Sequence, residues 1–189
     1  MFYEYDRIGA TQYARGWALS RNPKFQDYEE WGGNCTNYIS QCVNAGGIPM
    51  DPYGDNVMKE WYWYSDKKRT PSWTAAQPFF EYFTRNNNDN TNNFGVYATE
   101  SNYEEMELGD CHNFTLLSIF IKHNFTLGDI VQLIKDGKAY HTMIITGILF
   151  DGDEVYDYLI SQNTYDLLDY PLSLKVGDRR YLKIFGYYM

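Results

Sequence analysis

Apolar residues recur at helical spacing twice near the start of the chain and at strand spacing over its last third. Ile8, Ala10, Tyr13, Ala14, Trp17 and Ala18 fall on one helical stripe across about residues 6–20. The Arg21-Asn22-Pro23 triplet ends that stripe, because proline disfavours helix in the residue before it. After a loop over about 24–34, Tyr38, Ile39, Cys42 and Val43 mark a second helix over about 35–45. Asn34 is its expected N-cap, and Gly46-Gly47 is its stop.

A turn-rich stretch, IPMDPYGDN, leads into EWYWYSDKKRTPSW, which is aromatic but has no clear period. Ser72 is placed to cap a third helix running through WTAAQPFFEYFTRN, in which Pro78 demands a kink or a late start. NNNDNTNN at 86–93 is a polar loop, and about 94–124 reads as an insertion of mixed short elements. From Leu127 the blocks LGDIVQLIK, AYHTMIITGILF, VYDYLISQN and RRYLKIFGYY are rich in β-branched and aromatic residues, with Gly and Asp between them. Four antiparallel strands joined by short turns such as DGK and DGDE follow from this pattern. Helices first and a strand meander after them give an α+β arrangement, read as a single domain over 1–189.

Composition narrows the function classes. The 189 residues suffice for one core, and a formal net charge of −9 without a Lys/Arg stripe argues against nucleic acid as a partner. No apolar run reaches about 18 residues, so no membrane span is expected. The N-terminal MFYEYDRIGATQYARGW is polar and does not read as a secretion signal, which leaves localisation open. The 19 tyrosines offer flat faces with polar handles suited to sugars or peptides, or reflect biased codon usage. Cys35 and Cys42 lie about 10 Å apart along one helix, too far for a disulfide, and no CxxC pair is present. The Asn-x-Thr triplets at Asn34, Asn113 and Asn124 are expected by chance in an Asn-rich chain. No metal or cofactor is expected, since DGDE lacks calcium-loop spacing.

The remaining chemistry centres on Cys35. A thiol at a helix N-terminus sees the positive end of the macrodipole, which favours thiolate. Of three histidines, His141 alone lies in a clear strand, sharing parity with Met143 and Ile145; it is a core histidine or a base at a cleft edge. A three-residue loop Asp151-Gly152-Asp153 would set His141 opposite Asn163. Asn163 is then a turn residue or the group that orients the imidazole. Cys, His and Asn in that order match a thiol-protease constellation.

The blocks GGNCTNYISQCVNAGGIPM, EWYWY, PSWTAAQPFFEYF, LGDIVQL, YHTMIITG and ISQNTYD, with YDRIGATQYARGWALSRNPKF before them, resemble successive blocks of the bacterial putative amidase domain. That domain is a papain-like relative of CHAP-type cell-wall cysteine hydrolases. The resemblance implies a papain-like fold and hydrolysis of amide bonds in peptidoglycan, as an N-acetylmuramoyl-L-alanine amidase or a stem-peptide endopeptidase. It implies Cys35 as nucleophile, His141 as general base and then acid, and Asn163 as orienter. Two positions depart from the family pattern: Asn34 stands where Asp usually precedes the Cys, and Asn163 where His is usual. Trp31, Trp61 and Trp63 are the candidate substrate-binding residues, although such aromatics, with Trp73, also serve to cover a core. Asn37, Ser40 and Gln41 read as structural, and the expected state is a monomer. The same site could transfer an acyl group to another acceptor, or persist in a non-catalytic wall-binding module.

Overall fold

The computed structural model describes residues 1–52, 56–85, 95–103 and 125–189, with 95–103 entering by backbone alone. A short strand β1 (Phe2–Glu4) precedes helix α1 (Arg7–Trp17), which starts where the Asp6 carboxylate accepts from the Gly9 N–H at 2.9 Å. Helix α2 (Cys35–Ala45) occupies the expected residues. Its neighbours are a two-stranded ribbon, β2 (Trp63–Ser65) with β3 (Lys68–Arg69), a single turn α3 (Pro71–Thr74), and α4 (Ala76–Thr84). Thr70, and not Ser72, stands at the N-cap of α3 with Pro71 at its first position. Ala75 is extended, so α4 is the late start and Pro78 sits in its first turn.

The main sheet comprises β4 (Gly95–Tyr103), β5 (Ile130–Lys135), β6 (Lys138–Asp151), β7 (Glu154–Gln162), β8 (Leu167–Pro171), β9 (Asp178–Tyr188) and β1. Its order is β1-β9-β5-β6-β7-β8 with β4 also on β9, and every described pair is antiparallel. The fold is therefore α+β. The meander holds for β5 to β8, but the final strand crosses back to β5 and does not follow β7. Asp136 (φ 52°) and Gly137 (φ 74°) are both left-handed, the two-residue turn that matches the twist of β5 and β6.

Strand alternation divides the core into two. Ile130, Ile144, Leu182 and Ile184 face the helices, where they pack with Ala10, Ala14, Ile39, Cys42, Val43, Trp61, Trp73, Phe79 and Phe83. Val131, Leu133, Met143, Ile145 and Tyr181 face the other way, onto Phe125, Tyr158, Ile160 and Leu172. Burying each of the Val, Leu, Ile, Phe and Met side chains among these contributes about 1.5–3 kcal/mol. Arg7 ties α1 to the sheet through the buried Asp129 carboxylate and the Leu127 carbonyl, and Asp129 also accepts from the Thr126 N–H at 2.9 Å. Among the described residues no helix is long and apolar enough to cross a membrane.

Candidate active site

Two glycines deliver the chain to α2. Gly32 (φ 115°) and Gly33 (φ 108°) hold a backbone that side chains rarely adopt, and a Cβ on Gly33 would come within 3.2 Å of Thr164 Oγ1. The next residue, Asn34, donates its N–H to that same hydroxyl at 2.7 Å. Asn34 occupies the N-cap position, yet its side chain makes no capping bond. Its Oδ1 accepts instead from the Tyr28 N–H (3.2 Å) and Asn37 Nδ2 (2.8 Å), and its Nδ2 donates to Asn163 Oδ1 (2.9 Å). With Asn34 2% exposed, the Asn34 triplet offers no glycan acceptor in the folded chain.

An uncapped helix start leaves its first N–H groups to act on the Cys35 sulfur. Burial pushes the thiol above its ordinary value of 9.0; the Thr36 hydroxyl and the backbone N–H groups of Thr142, Thr36 and Cys35 act in the opposite direction. Desolvation wins, so the resting group is a neutral thiol and not the thiolate that the helix end alone would favour. The Thr36 and Thr142 hydroxyls pair at 3.0 Å and fasten this helix turn to β6. Cys42, on the apolar stripe, is wholly buried, and both thiols are free; Cys111, His112 and His123 lie outside the described residues.

His141 is 8% exposed and pairs with Leu133 of β5. Its position opposite Asn163 is not what the β6–β7 hairpin shows. The closing pair is Asp151↔Glu154, the turn has two residues, and irregularities follow at Leu149/Phe150 and Ile145/Gly147. Pairing ends at Ile144↔Ser161, with Ile145 opposite Ile160. Counting on in steps of two, Gln162 and not Asn163 shares the face of His141. Gln162 Nε2 donates to the carbonyls of Thr164 (2.9 Å) and Tyr165 (2.8 Å), which fixes the amide. His141 Nε2 and Gln162 Oε1 are both buried, and neither has a hydrogen-bond partner among the described residues. Burial pulls the imidazole below its ordinary 6.5, with Gln162 opposing; nearby Lys175 lowers it further and Glu29 raises it.

Asn163 is committed elsewhere. Its Nδ2 donates to the carbonyls of Trp17 (3.2 Å) and Ala18 (2.9 Å), and its Oδ1 accepts from Asn34. It locks the end of α1 to the start of α2. The structure thus brings Asn163 against the residue preceding the cysteine, while Gln162 meets the histidine. Cys35 lies beside the Thr142 backbone, one residue from His141; the helix packs on the Thr142 face of β6, whereas His141 has the parity of Met143.

A cleft of about 410 Å³ opens in front of Cys35, lined by Tyr28, Trp31, Arg69, Gln77 and Tyr140 among others. Trp31 is 66% exposed on its wall. Trp61 corrects the expectation of a substrate contact: it is wholly buried, packs tilted against Trp73 with ring centroids 4.7 Å apart, and donates to Ser40 Oγ at 3.1 Å. Trp63 stands behind the cleft, donating to the Tyr28 hydroxyl at 2.8 Å. Asn37 bonds the Gln26 carbonyl and Trp73 Nε1, Ser40 the Trp73 carbonyl, and Gln41 the Tyr13 hydroxyl, as structural residues do. Among the described residues no cluster of three or more His, Cys, Asp or Glu side chains could hold a metal ion. Sequence reasoning missed Thr142 and Gln162, whose signal lay in strand parity, and Thr164 and Arg69, which carried none.

Comparison with known proteins adds the following. The putative amidase domain family matches residues 4–185. The Bacillus subtilis (strain 168) protein YhbB is 35% identical over 167 residues, covering 87% of this chain and 43% of that protein. YjcM of the same strain is 25% identical over 178 residues, covering 94% of this chain and 36% of that protein. The chain thus spans less than half the length of these curated relatives. No solved structure matches.

Proposed function

The chain belongs to the putative amidase domain family, and on that premise we propose that it is a cysteine-dependent amide hydrolase acting on the peptides of bacterial cell walls. The observation that carries this reading is a thiol at an uncapped helix N-terminus on the wall of a cleft, with a buried imidazole one residue from the strand backbone it touches. A helix presenting the cysteine to an antiparallel sheet that carries the histidine supports a papain-like arrangement over 1–189.

In this mechanism Cys35 Sγ attacks the amide carbonyl carbon and its proton passes to His141, whose imidazole must turn from the Met143 face of β6 toward the cleft to receive it. The backbone N–H of Cys35 receives the developing oxyanion. His141 then returns the proton to the departing amine as the C–N bond breaks, leaving a thioester. Water, activated by the same imidazole, releases the acid and restores the thiol. Because thiol and imidazole are both neutral at rest, the imidazole works as a general base and not as half of a standing ion pair. Gln162 takes the orienting role, and Asn163 braces the start of α2. Purified peptidoglycan incubated with the protein is expected to release new amines, and Cys35→Ala or iodoacetamide to abolish this. An intact fold that releases none under any condition would sink the reading.

The elevated thiol pKa favours one alternative, a wall-binding module that retains the fold without turnover. In that case Cys35 would react with iodoacetamide no faster than the fully buried Cys42.

A further inference from the structure

The chain carries 25 acidic against 16 basic residues, yet the one charged side chain among those lining the cleft is cationic, Arg69. An acidic surface does not place an arginine there by default, and its neighbours hold it firmly. The guanidinium lies over the Tyr28 ring at 4.8 Å. The Tyr28 hydroxyl is in turn fixed by Trp63 Nε1 (2.8 Å) and Asp66 Oδ1 (3.2 Å). A single nitrogen, Nη1, serves the Asp66 carbonyl and carboxylate. The other two nitrogens of the fork make no hydrogen bond to the described residues, and the side chain remains 35% exposed. An arginine oriented by an aromatic face and one carboxylate, with a free pair of donors on a cleft wall, matches the geometry of bidentate carboxylate binding.

We propose that Arg69 is the carboxylate subsite of the cleft, so that the substrate is an amide bearing a free carboxylate close to the bond presented to Cys35. This rests on Cys35 being the reacting group. It selects among amide substrates: anionic peptides carrying an unamidated carboxylate are preferred over their carboxamide or uncharged counterparts. The attraction is partly offset by Asp66, so it is directional and short-range, not a general pull on anions.

The test uses the thiol itself. Alkylation of Cys35 by iodoacetate and by iodoacetamide is timed on the intact protein, with the Cys35 peptide quantified by mass spectrometry. The two reagents differ in one carboxylate. The rate ratio of iodoacetate to iodoacetamide is expected to fall about tenfold in Arg69→Gln, the change that corresponds to one hydrogen-bonded ion pair of about 1.4 kcal/mol. Arg69→Lys is expected to keep an intermediate ratio, since it retains the charge without the fork. Added salt should lower the wild-type ratio and leave that of Arg69→Gln unchanged. Equal ratios in wild type, Arg69→Gln and Arg69→Lys would overturn the subsite. Because the readout needs no turnover, the outcomes separate. A protein that hydrolyses nothing but shows the arginine-dependent ratio loses the hydrolase reading and keeps the subsite. A protein that hydrolyses amides with an arginine-independent ratio does the reverse.

Discussion

Asn34 Nδ2 donates to Asn163 Oδ1 at 2.9 Å, between residues 2% and 1% exposed. These are the two positions at which the chain departs from the pattern of the family it resembles, where Asp and His are usual. Far apart in sequence, the two departures meet in one contact between two amides. The amide pair is fully specified. Asn163 Nδ2 is held by two carbonyls of α1's end, so its Oδ1 must face Asn34 and can accept but not donate. Asn34→Asp alone would set two acceptors face to face in a buried site, at a cost of about 1–3 kcal/mol. Asn163→His alone leaves Asn34 to find a new partner at a similar cost. The double substitution Asn34→Asp/Asn163→His restores a donor and acceptor, so its loss is expected to be smaller than the sum by about 0.5–3 kcal/mol. Urea unfolding of the four proteins measures this, and strict additivity would show the positions to be independent.

Gln162 is expected to control the imidazole, and Asn163 the helix ends. The Gln162 amide opposes the burial that pulls His141 below 6.5. Gln162→Leu therefore moves the acid limb of kcat/KM to still lower pH and reduces kcat, by up to the roughly 10²–10⁴-fold that general-base catalysis supplies. Asn163→Ala lowers the unfolding midpoint without moving that limb. A pH profile that shifts with Asn163→Ala and not with Gln162→Leu would return the orienting role to Asn163.

The neutral resting pair has consequences on both sides of pH 7. Below 6.5 the unfolded chain takes up a proton at His141 that the native chain refuses, because the native value is lowered. Stability from this group is full above 6.5 and falls as pH drops toward the native value. Above 9.0 the unfolded chain loses the Cys35 proton that the native chain keeps, so stability falls as pH rises. Replacing the thiol by Cys35→Ser should remove part of the alkaline loss. The alkylation rate of Cys35 should likewise go on rising past pH 9, whereas a plateau reached below pH 7 would reveal a thiolate–imidazolium pair.

Local chemistry was legible along the chain, and long-range register was not. The ends of α2 were readable because an apolar stripe meets Gly46-Gly47, and the glycines before Cys35 marked a turn into it. The parity of His141 with Met143 and Ile145 was readable too, since alternation is intrinsic to a strand. Its partner was not, because two irregularities in the β6–β7 ladder and a turn one residue shorter than assumed decide which neighbour arrives. The short β8 went unnoticed for its mixed LLDYP, and the return of β9 to β5 has no local signature. Asn34 looked like a cap by residue type, but its Oδ1 is taken by the Tyr28 N–H and Asn37 Nδ2 and its Nδ2 by a buried partner 129 positions away, so no helix N–H receives it.

The tryptophans make the same distinction between composition and placement, and they can be told apart experimentally. Trp61 is wholly buried against Trp73, Tyr82 and Phe83, and its indole N–H is satisfied by Ser40. Truncating it opens a cavity and removes the donor to the Ser40 hydroxyl, which keeps its own bond to the Trp73 carbonyl, so Trp61→Ala is expected to cost about 3–5 kcal/mol in urea unfolding. In whatever fraction remains folded, KM should be near that of the parent. Trp31 is 66% exposed on the cleft, with Tyr28 as its aromatic neighbour at 6.1 Å. Trp31→Ala is expected to leave stability within about 0.5 kcal/mol, as surface changes do. Its effect should fall on KM for a peptide amide, with kcat little altered, because the indole would bind ground and transition states alike. A large stability loss from Trp31→Ala, or an unchanged KM, would remove Trp31 from the substrate path.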